Sequence, residues 1–516
     1  MEVFAMGNLR LLIFLIASVW RHLPFVAAPI GYLAFAGPVH HGLVMGALFG
    51  LSGHLTRRAA TGIRLRFFPH KLSHGSARFA TMDELAATGL FKPGGVLLGR
   101  AHGRMVRYSG HGHLLTFAPT RSGKGVGCVI PNLLSWEKSA IVTDLKGENF
   151  AITHAHRRTL GPVYAMAPFA EDGESARYNP FDFIRICTHY ELDDARLIAE
   201  MLVAPEQAEA NHWEREARTL ITGLVLYIRR QCLVGKRNPA YLRELLMEDQ
   251  EGFELVIQRM SNSDIDTVAR IARGFSQKEA KERSAVISTA QAATAVFDSE
   301  PLAKLTEWSD FDLEELKEKT GTLYIIVPPE HLEAYRPFMR LMVGLSMAAM
   351  TRRGTSEANQ VLFLLDELPA LGYMRPIEEG IGYMAGYGAK LWLFVQDLNQ
   401  LEKVYPKARS MIANCAVRQA FNVQDSGTAR LLSDMLGVTT VKVKSQGRSS
   451  PLPMNLLPVA FHSGLFETAR PLMTPDEVST LSRDQQLLFV EGLHGMVTRK
   501  LRYFDWQEWQ LRQRAQ

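Results

Sequence analysis

The stretch Ala118-Pro119-Thr120-Arg121-Ser122-Gly123-Lys124-Gly125 follows an apolar run, Leu114 to Phe117, and precedes Val126-Gly127-Cys128-Val129-Ile130. That order predicts a strand, a tight loop and the start of a helix. In that setting the loop resembles a phosphate-binding P-loop. Backbone N–H groups of such a loop cradle phosphates, the helix N-terminus adds partial positive charge, and the lysine reaches the outer phosphates. The residues placed for this contact are Thr120, Arg121, Ser122, Gly123, Lys124, Gly125 and Val126. Two positions depart from the general pattern. Ala118 replaces the first glycine, and Gly125 stands where a Ser or Thr hydroxyl would touch magnesium. Short glycine-lysine loops also occur as plain turns, so the surrounding sequence has to decide.

Downstream, Ser139-Ala140-Ile141-Val142-Thr143 reads as a buried strand ending at Asp144, with Lys146-Gly147-Glu148 after it. Asp144, Lys146 and Glu148 fit a site edge or a subunit contact, and fit an ordinary charged turn as well. Val163 to Met166 reads as a further strand, and Tyr178-Asn179-Pro180-Phe181 as a turn. Strand and helix signals alternate, which argues for a parallel sheet wrapped by helices. Between about 190 and 300 the pattern changes. Leu192, Ala195 and Ile198 recur at helical spacing, as do Trp213, Ala217, Leu220, Leu224 and Ile228, and Ile265, Val268, Ile271 and Phe275. This predicts an all-helical insertion of roughly 110 residues, an ordinary domain size.

Sheet pattern resumes at Leu323 to Val327, and a helix is expected around Pro337 to Met350. Val361-Leu362-Phe363-Leu364-Leu365 then runs into Asp366-Glu367, a buried strand delivering two carboxylates at its C-terminal end. Open parallel sheets bind ligands at that edge. Leu391 to Val395 ends at Gln396, and Gln419 to Val423 ends beside Gln424-Asp425. Residues 446–469, with their glycine, serines and prolines, read as an extended loop, and Leu487–Val490 with Val497–Tyr503 as a closing hairpin.

The strand ends carry complementary groups. Gly123 and Lys124 would bind phosphates, Asp366 would hold Mg²⁺ directly or through water, and Glu367 would polarise the attacking water. Gln396 would sense the outer phosphate. Phosphoryl transfer needs positioning and charge neutralisation more than covalent chemistry, and this set supplies both. The long interval between Lys124 and Asp366 is accounted for largely by the helical insertion.

Composition narrows the rest. With 22% charged and 47% apolar residues the chain of 516 is globular in bulk. A net charge of +5 is too small to argue nucleic-acid binding by itself. Four scattered cysteines, Cys128, Cys187, Cys232 and Cys415, have no zinc-ligand spacing. Val3 to Trp20 and Leu23 to about Gly50 are apolar, predicting two short membrane spans near 3–20 and 24–50. Arg57, Arg58, Arg64, Arg66 and Lys71 follow, which favours the cytoplasmic side and puts both termini there.

The stretches HGSARFATMDEL (74–85), APTRSGKGVG (118–127), IVTDLKGEN (141–149), YNPFDFI (178–184), LFLLDELPALG (362–372), GYGAKLWLFVQDLNQL (386–401) and RPLMTPDEV (470–478) resemble, in order, the VirD4/TraG coupling proteins of type IV secretion and conjugation systems. The resemblance implies an α/β fold: a RecA/FtsK-like P-loop motor domain, an inserted all-helical domain and an N-terminal transmembrane helical anchor. On this sequence the expected boundaries are 1–58 for the anchor, 59–189 and 306–516 for the nucleotide-binding domain, and 190–305 for the insertion. It further implies an ATPase using ATP and Mg²⁺, with Lys124, Glu367 and Gln396 catalytic. The implied setting is the bacterial inner membrane, with the bulk of the chain cytoplasmic and a homo-hexameric ring. Implied partners are relaxase–DNA complexes or effector proteins, secretion-channel components, and single-stranded DNA held without sequence specificity. Two other functions share these residues: a docking platform switched by nucleotide without motor activity, and an FtsK-like DNA pump. Some relatives carry a trans-acting arginine before the glutamine strand. Met384-Ala385-Gly386-Tyr387-Gly388-Ala389-Lys390 has none, leaving Arg375, Lys390 and Arg418 as candidates. Trp213 and Trp308 fit either cargo contact or helix packing.

Overall fold

A computed structural model describes residues 73–170, 175–205, 210–352, 354, 359–449, 460–506 and 509. The expected anchor, 1–58, lies outside them, and among the described residues no helix is long and apolar enough to cross a membrane. The chain divides into two compact units, Met1–Ser76 with Thr440–Ala469, and Ala77–Thr439 with Arg470–Gln516.

The larger unit is built on one sheet. Its strands are β1 (Val96–Ala101), β2 (Arg104–Tyr108), β3 (His113–Phe117), β4 (Ala140–Asp144), β5 (Val163–Met166), β6 (Thr322–Ile326), β7 (Val361–Leu365), β8 (Ala389–Val395), β9 (Cys415–Ala420), β12 (Gln485–Val490) and β13 (Met496–Arg499); β10 (Val438–Ser449) and β11 (Ala460–Pro471) pair apart from it. The spatial order is β2-β1-β13-β12-β9-β3-β8-β7-β4-β6-β5. From β9 to β5 the strands run parallel, and β12, β13, β1 and β2 extend the sheet antiparallel. The C-terminal hairpin therefore continues the sheet beside β9.

Parallel strands need helical crossovers, so both faces are covered and the strands read as unbroken apolar runs. All five residues of β7 are buried, and successive side chains enter opposite cores. Phe363 and Leu365 join Leu115, Phe117 and Leu393 on one face. Leu362 and Leu364 join Leu114, Trp392 and Phe394 on the other. Truncating one of these leucines to alanine removes roughly 2–5 kcal/mol of stability.

The first helices are α1 (Met82–Ala87), α2 (Ile130–Ser135) and α3 (Glu148–Leu160). Between β5 and β6 come α4 (Glu191–Leu202), α5 (His212–Gln231), α6 (Pro239–Leu246), α7 (Gln250–Ser261), α8 (Asp266–Ser276), α9 (Ala280–Thr294), α10 (Glu300–Leu305) and α11 (Glu315–Glu318). Their starts are written in the sequence. Asn211 and Glu214 form a capping box on α5, and Asp249 and Asn238 cap α7 and α6. The stripe Ala217, Leu220, Ile221, Leu224 and Ile228 is buried in the same core as one face of the sheet. α12 (Leu332–Arg352) joins the two. A Cβ at its Gly344 would lie 2.4 Å from Met201 Sδ, so the glycine makes room for the Met201 side chain of α4, which a larger residue would force to move. α13 (Arg375–Gly380) follows β7.

The reading of 446–469 as an extended loop is corrected. Its described ends lie in β10 and β11, which form a two-stranded sheet. The Pro, Ser and Gly residues at 447–458 set the composition of the whole window, while the flanks, Val438 to Lys442 and Phe466 to Arg470, carry alternating strand signals. In the smaller unit the N–H groups of His74 and Gly75 both donate to Thr440 Oγ1 at 3.1 Å, and the Ser73 hydroxyl donates to Glu467 Oε2 at 2.6 Å.

Candidate functional site

β8 lies between β3 and β7, and all three run the same way, so their C-terminal ends open on one edge. The loop after β3 starts with Ala118, whose N–H donates to Val395 O at 2.8 Å, tying it to the end of β8. Arg121 and Gly123 both take positive φ, 61° and 91°. The second is cheap because glycine has no Cβ, and the first is a strained position for an arginine. A Cβ built on Gly123 meets nothing within 4 Å, so the space beside this glycine is open. Thr120, Arg121 and Gly123 are exposed, Lys124, Gly125 and Val126 half-buried, and Ser122 buried. Among the described residues Ser122 Oγ has no hydrogen-bond partner. The helix expected after the loop begins as a single wide turn, Gly125–Val129, before α2.

Lys124 Nζ reaches across β8 to both carboxylates of the next strand end, Asp366 Oδ1 at 2.8 Å and Glu367 Oε1 at 2.5 Å. Gln396 Nε2 donates to Glu367 Oε2 at 3.3 Å. Lys124, Asp366, Glu367 and Gln396, picked from three separate places in the sequence, thus form one connected group. Burial alone would lower the Lys124 ammonium, but Asp366 and Glu367 override it and hold it above its ordinary value. Burial pushes the Asp366 carboxyl up against the pull of Lys124. Glu367 turns through a left-handed backbone, φ 50° and ψ 52°, directly after an extended strand. Held strain of this kind clusters at functional sites. The Thr143 hydroxyl donates to Asp366 O at 3.2 Å and steadies the turn from below.

The residues fit a nucleotide with magnesium. The loop is exposed at Thr120, Arg121 and Gly123, the lysine is charged, and the buried Ser122 hydroxyl is unpartnered among the described residues. Among the described residues no cluster of three or more His, Cys, Asp or Glu forms a metal cage. Magnesium usually takes one or two carboxylates plus phosphates and water, which Asp366 and Glu367 can satisfy. Gly125 offers no hydroxyl.

Asp144 is buried and accepts N–H bonds from Phe150 at 2.8 Å and Lys146 at 3.4 Å, so it organises the turn into α3. Lys146 and Glu148 are exposed. The arginine-like candidates separate clearly. Lys390 is 1% exposed, its ammonium lying over the Tyr108 and Trp136 rings at 5.2 and 5.5 Å, which removes it as a group that reaches another subunit. Arg418 is half-buried on β9. Arg375 is exposed and donates to both Glu200 oxygens at 2.9 Å. Trp213 stands edge-on to His212, and Trp308 packs under the Arg177 guanidinium at 3.9 Å.

One residue had no signal in the sequence. Lys500, just past β13, donates to Ser122 O at 3.0 Å and to Asn422 Oδ1 at 3.2 Å. The C=O and N–H of a trans peptide point opposite ways. Pinning the Ser122 carbonyl therefore turns the Gly123 N–H to the other side of the loop. A lone lysine in Arg499-Lys500-Leu501 carries no motif, and only the order β13-β12-β9-β3 brings it here.

Residues 78–516 match the family described as type IV secretory system conjugative DNA transfer. The conjugal transfer protein TraG of Escherichia coli is 32% identical over 453 residues, 78% of this chain and 70% of that protein. Protein VirD4 of Agrobacterium fabrum is 27% identical over 449 residues, 84% of this chain and 66% of that protein. The solved structure of the plasmid coupling protein TrwB in complex with ADP and Mg²⁺ superposes with a TM-score of 0.62 at 16% identity, over 83% of this chain and 95% of that one, and shows the shared fold.

Proposed function

The chain belongs to the type IV secretory system conjugative DNA transfer family, and from that premise we propose that it is an ATP-driven coupling protein. It would recruit relaxase–DNA complexes or effector proteins to a type IV secretion channel and power their passage. The observation that carries the proposal is the Lys124–Asp366–Glu367–Gln396 group at one sheet edge.

Here Lys124 neutralises its own acids. Phosphates entering the cradle offer it a better partner, and its departure frees two carboxylates. Asp366 is then the residue to hold magnesium, which would neutralise charge on the outer phosphates. Glu367, on its strained turn, is placed to orient and polarise water. Gln396, bonded to Glu367, moves when Glu367 changes partner and reports on the outer phosphate through β8. The ADP and Mg²⁺ held by TrwB support the same ligands in this cradle. The apolar N-terminus supports anchoring in the inner membrane. A motor working as a homo-hexamer would hold single-stranded DNA by backbone charge, without base reading.

The test is ATP turnover by the detergent-purified chain. Lys124→Ala should abolish turnover and transfer. Glu367→Gln should keep ATP binding and lose roughly 10²–10⁴ in kcat, the range for a positioned base. Full turnover by Glu367→Gln would remove Glu367 from the chemistry. Gly125 and the arginine-free stretch Met384–Lys390 favour a second reading, a docking platform switched by nucleotide. Absence of turnover with single-stranded DNA, under conditions where the chain assembles, would favour the platform.

A further inference from the structure

A cavity of about 550 Å³ lies away from the P-loop, between α4, α5 and α8 on one side and α12 and the start of α13 on the other. Its lining carries Arg196, Arg215, Arg218, Arg270, Arg340 and Arg375, and among the described residues Glu200 is its one carboxylate. Glu200 is already taken, both oxygens accepting from Arg375. Among the described residues the remaining guanidinium groups have few full counter-charges. Arg340 donates to Met201 O and Leu202 O, and Arg218 to Val203 O, the carbonyl end of α4. Arg215 donates to Ala210 O and Arg270 to Thr267 Oγ1. Arg196 reaches Asp193 at 3.2 Å on the solvent side.

Helix-end carbonyls supply partial negative charge and do not neutralise a cluster of this size. The like charges are felt. Burial, with Arg336 and Arg218 repelling, pulls the Arg340 guanidinium down to about 10. Burial lowers Arg218 too, with Glu200 and Glu214 opposing and Arg375 repelling. The forks come from five different helices and so approach from several directions. A planar carboxylate uses one or two forks, as Glu200 does, whereas a tetrahedral phosphate accepts from many sides. The volume suits a small ligand.

We propose that this cavity binds a compact ligand bearing two or more phosphate groups, at a site separate from the P-loop. Arg375 opens the segment that leads back through Leu368–Leu371 to Glu367, so occupancy bears directly on the catalytic turn. The phosphates can come from a free polyphosphate or from the phosphorylated end of a DNA strand.

The test is calorimetry with sodium tripolyphosphate on the full chain carrying Lys124→Ala, which silences the P-loop. Salt-sensitive binding is expected there, and Arg196→Gln with Arg270→Gln should weaken it at least tenfold. Both arginines are exposed, so circular dichroism and melting should not change; Arg215→Gln is the independent second variant. Competition by a 5′-phosphorylated oligothymidylate would assign the strand-end source, and its failure to compete would assign the free one. No binding to the Lys124→Ala chain, binding untouched by the arginine variants, or equal affinity for citrate would overturn the proposal. The readout is binding, so it stands or falls independently of ATP turnover.

Discussion

A single ammonium is shared by the carboxylates of Asp366 and Glu367 in a half-buried place, and the residues beside Lys124 set how the loop meets its ligand. Gly125 is the first case. Its backbone is not left-handed, and a Cβ there would meet only Asn149 Oδ1, at 3.9 Å. Nothing steric demands glycine. Gly125→Ser should fold and supply the missing hydroxyl. It should tighten ADP by about 1 kcal/mol, roughly fivefold in Kd, with magnesium present. Titrations with and without the metal check this, and an equal gain in both would mean that the hydroxyl touches phosphate or backbone instead. Lys500 is the second case. Its bond to the Ser122 carbonyl is charge-assisted, a class worth about 1.5–3 kcal/mol. Lys500→Met should weaken ADP binding about tenfold or more through loop disorder while the sheet stays intact. Lys500→Arg should restore part of it. Unchanged affinity in Lys500→Met would reduce the residue to a packing role.

At the scale of elements, β3 sets the position of the loop and carries a titratable group at its start. His113 is 1% exposed, and its Nδ1 accepts from the Leu391 N–H at 3.0 Å, fixing the register of β3 against β8. Burial, then the Lys390 charge, lowers its pKa from 6.5 to about 4. The folded form thus resists a proton that the unfolded chain accepts below 6.5. This stability is fully present above pH 6.5 and is lost as pH falls toward 4, up to about 3 kcal/mol for one proton over that window. His113→Asn keeps an acceptor for Leu391 without titrating, so its unfolding free energy should fall less steeply between pH 7 and 4.5. Identical slopes in denaturant titrations would exclude His113 as the source. The same pair of strands explains what sequence can and cannot tell. β3, β7 and β8 are buried on both faces, so each is an apolar run with its chemistry at the end, and the run itself points to Lys124, Asp366, Glu367 and Gln396. Lys390, a candidate for the trans-acting cation by sequence, is the second residue of β8, lying over two rings. Nothing in local pattern separates those cases, because the rings come from β2 and from the end of α2.

Across the whole larger unit, the helical segment and the sheet share one core, and α12 is the strut between them. Its 21 residues span about 31 Å by the usual rise per residue. Near one end Arg336 donates to Ala370 O at 3.0 Å, within the turn that follows Glu367. One turn on, Arg340 holds the carbonyl end of α4. This strut was readable only as a helix around Pro337 to Met350. Its partners come from segments far apart in the chain, and the non-consecutive order β7-β4-β6 hides them from any local pattern. If the proposed function holds, a movement of the helices on binding cargo would reach the Glu367 turn through these two arginines, and ATP hydrolysis would act back along the same path. Arg336→Met keeps the apolar stem and removes the bond to Ala370. It should lower stability by about 1 kcal/mol, yet lower kcat severalfold with KM for ATP little changed, because the cradle at Gly123 and Lys124 is untouched. Stimulation by single-stranded DNA should fall further than the basal rate. Steady-state turnover with and without DNA measures both. If stimulation survives at its full ratio while the basal rate falls, α12 only supports the turn, and the signal from cargo travels by another route.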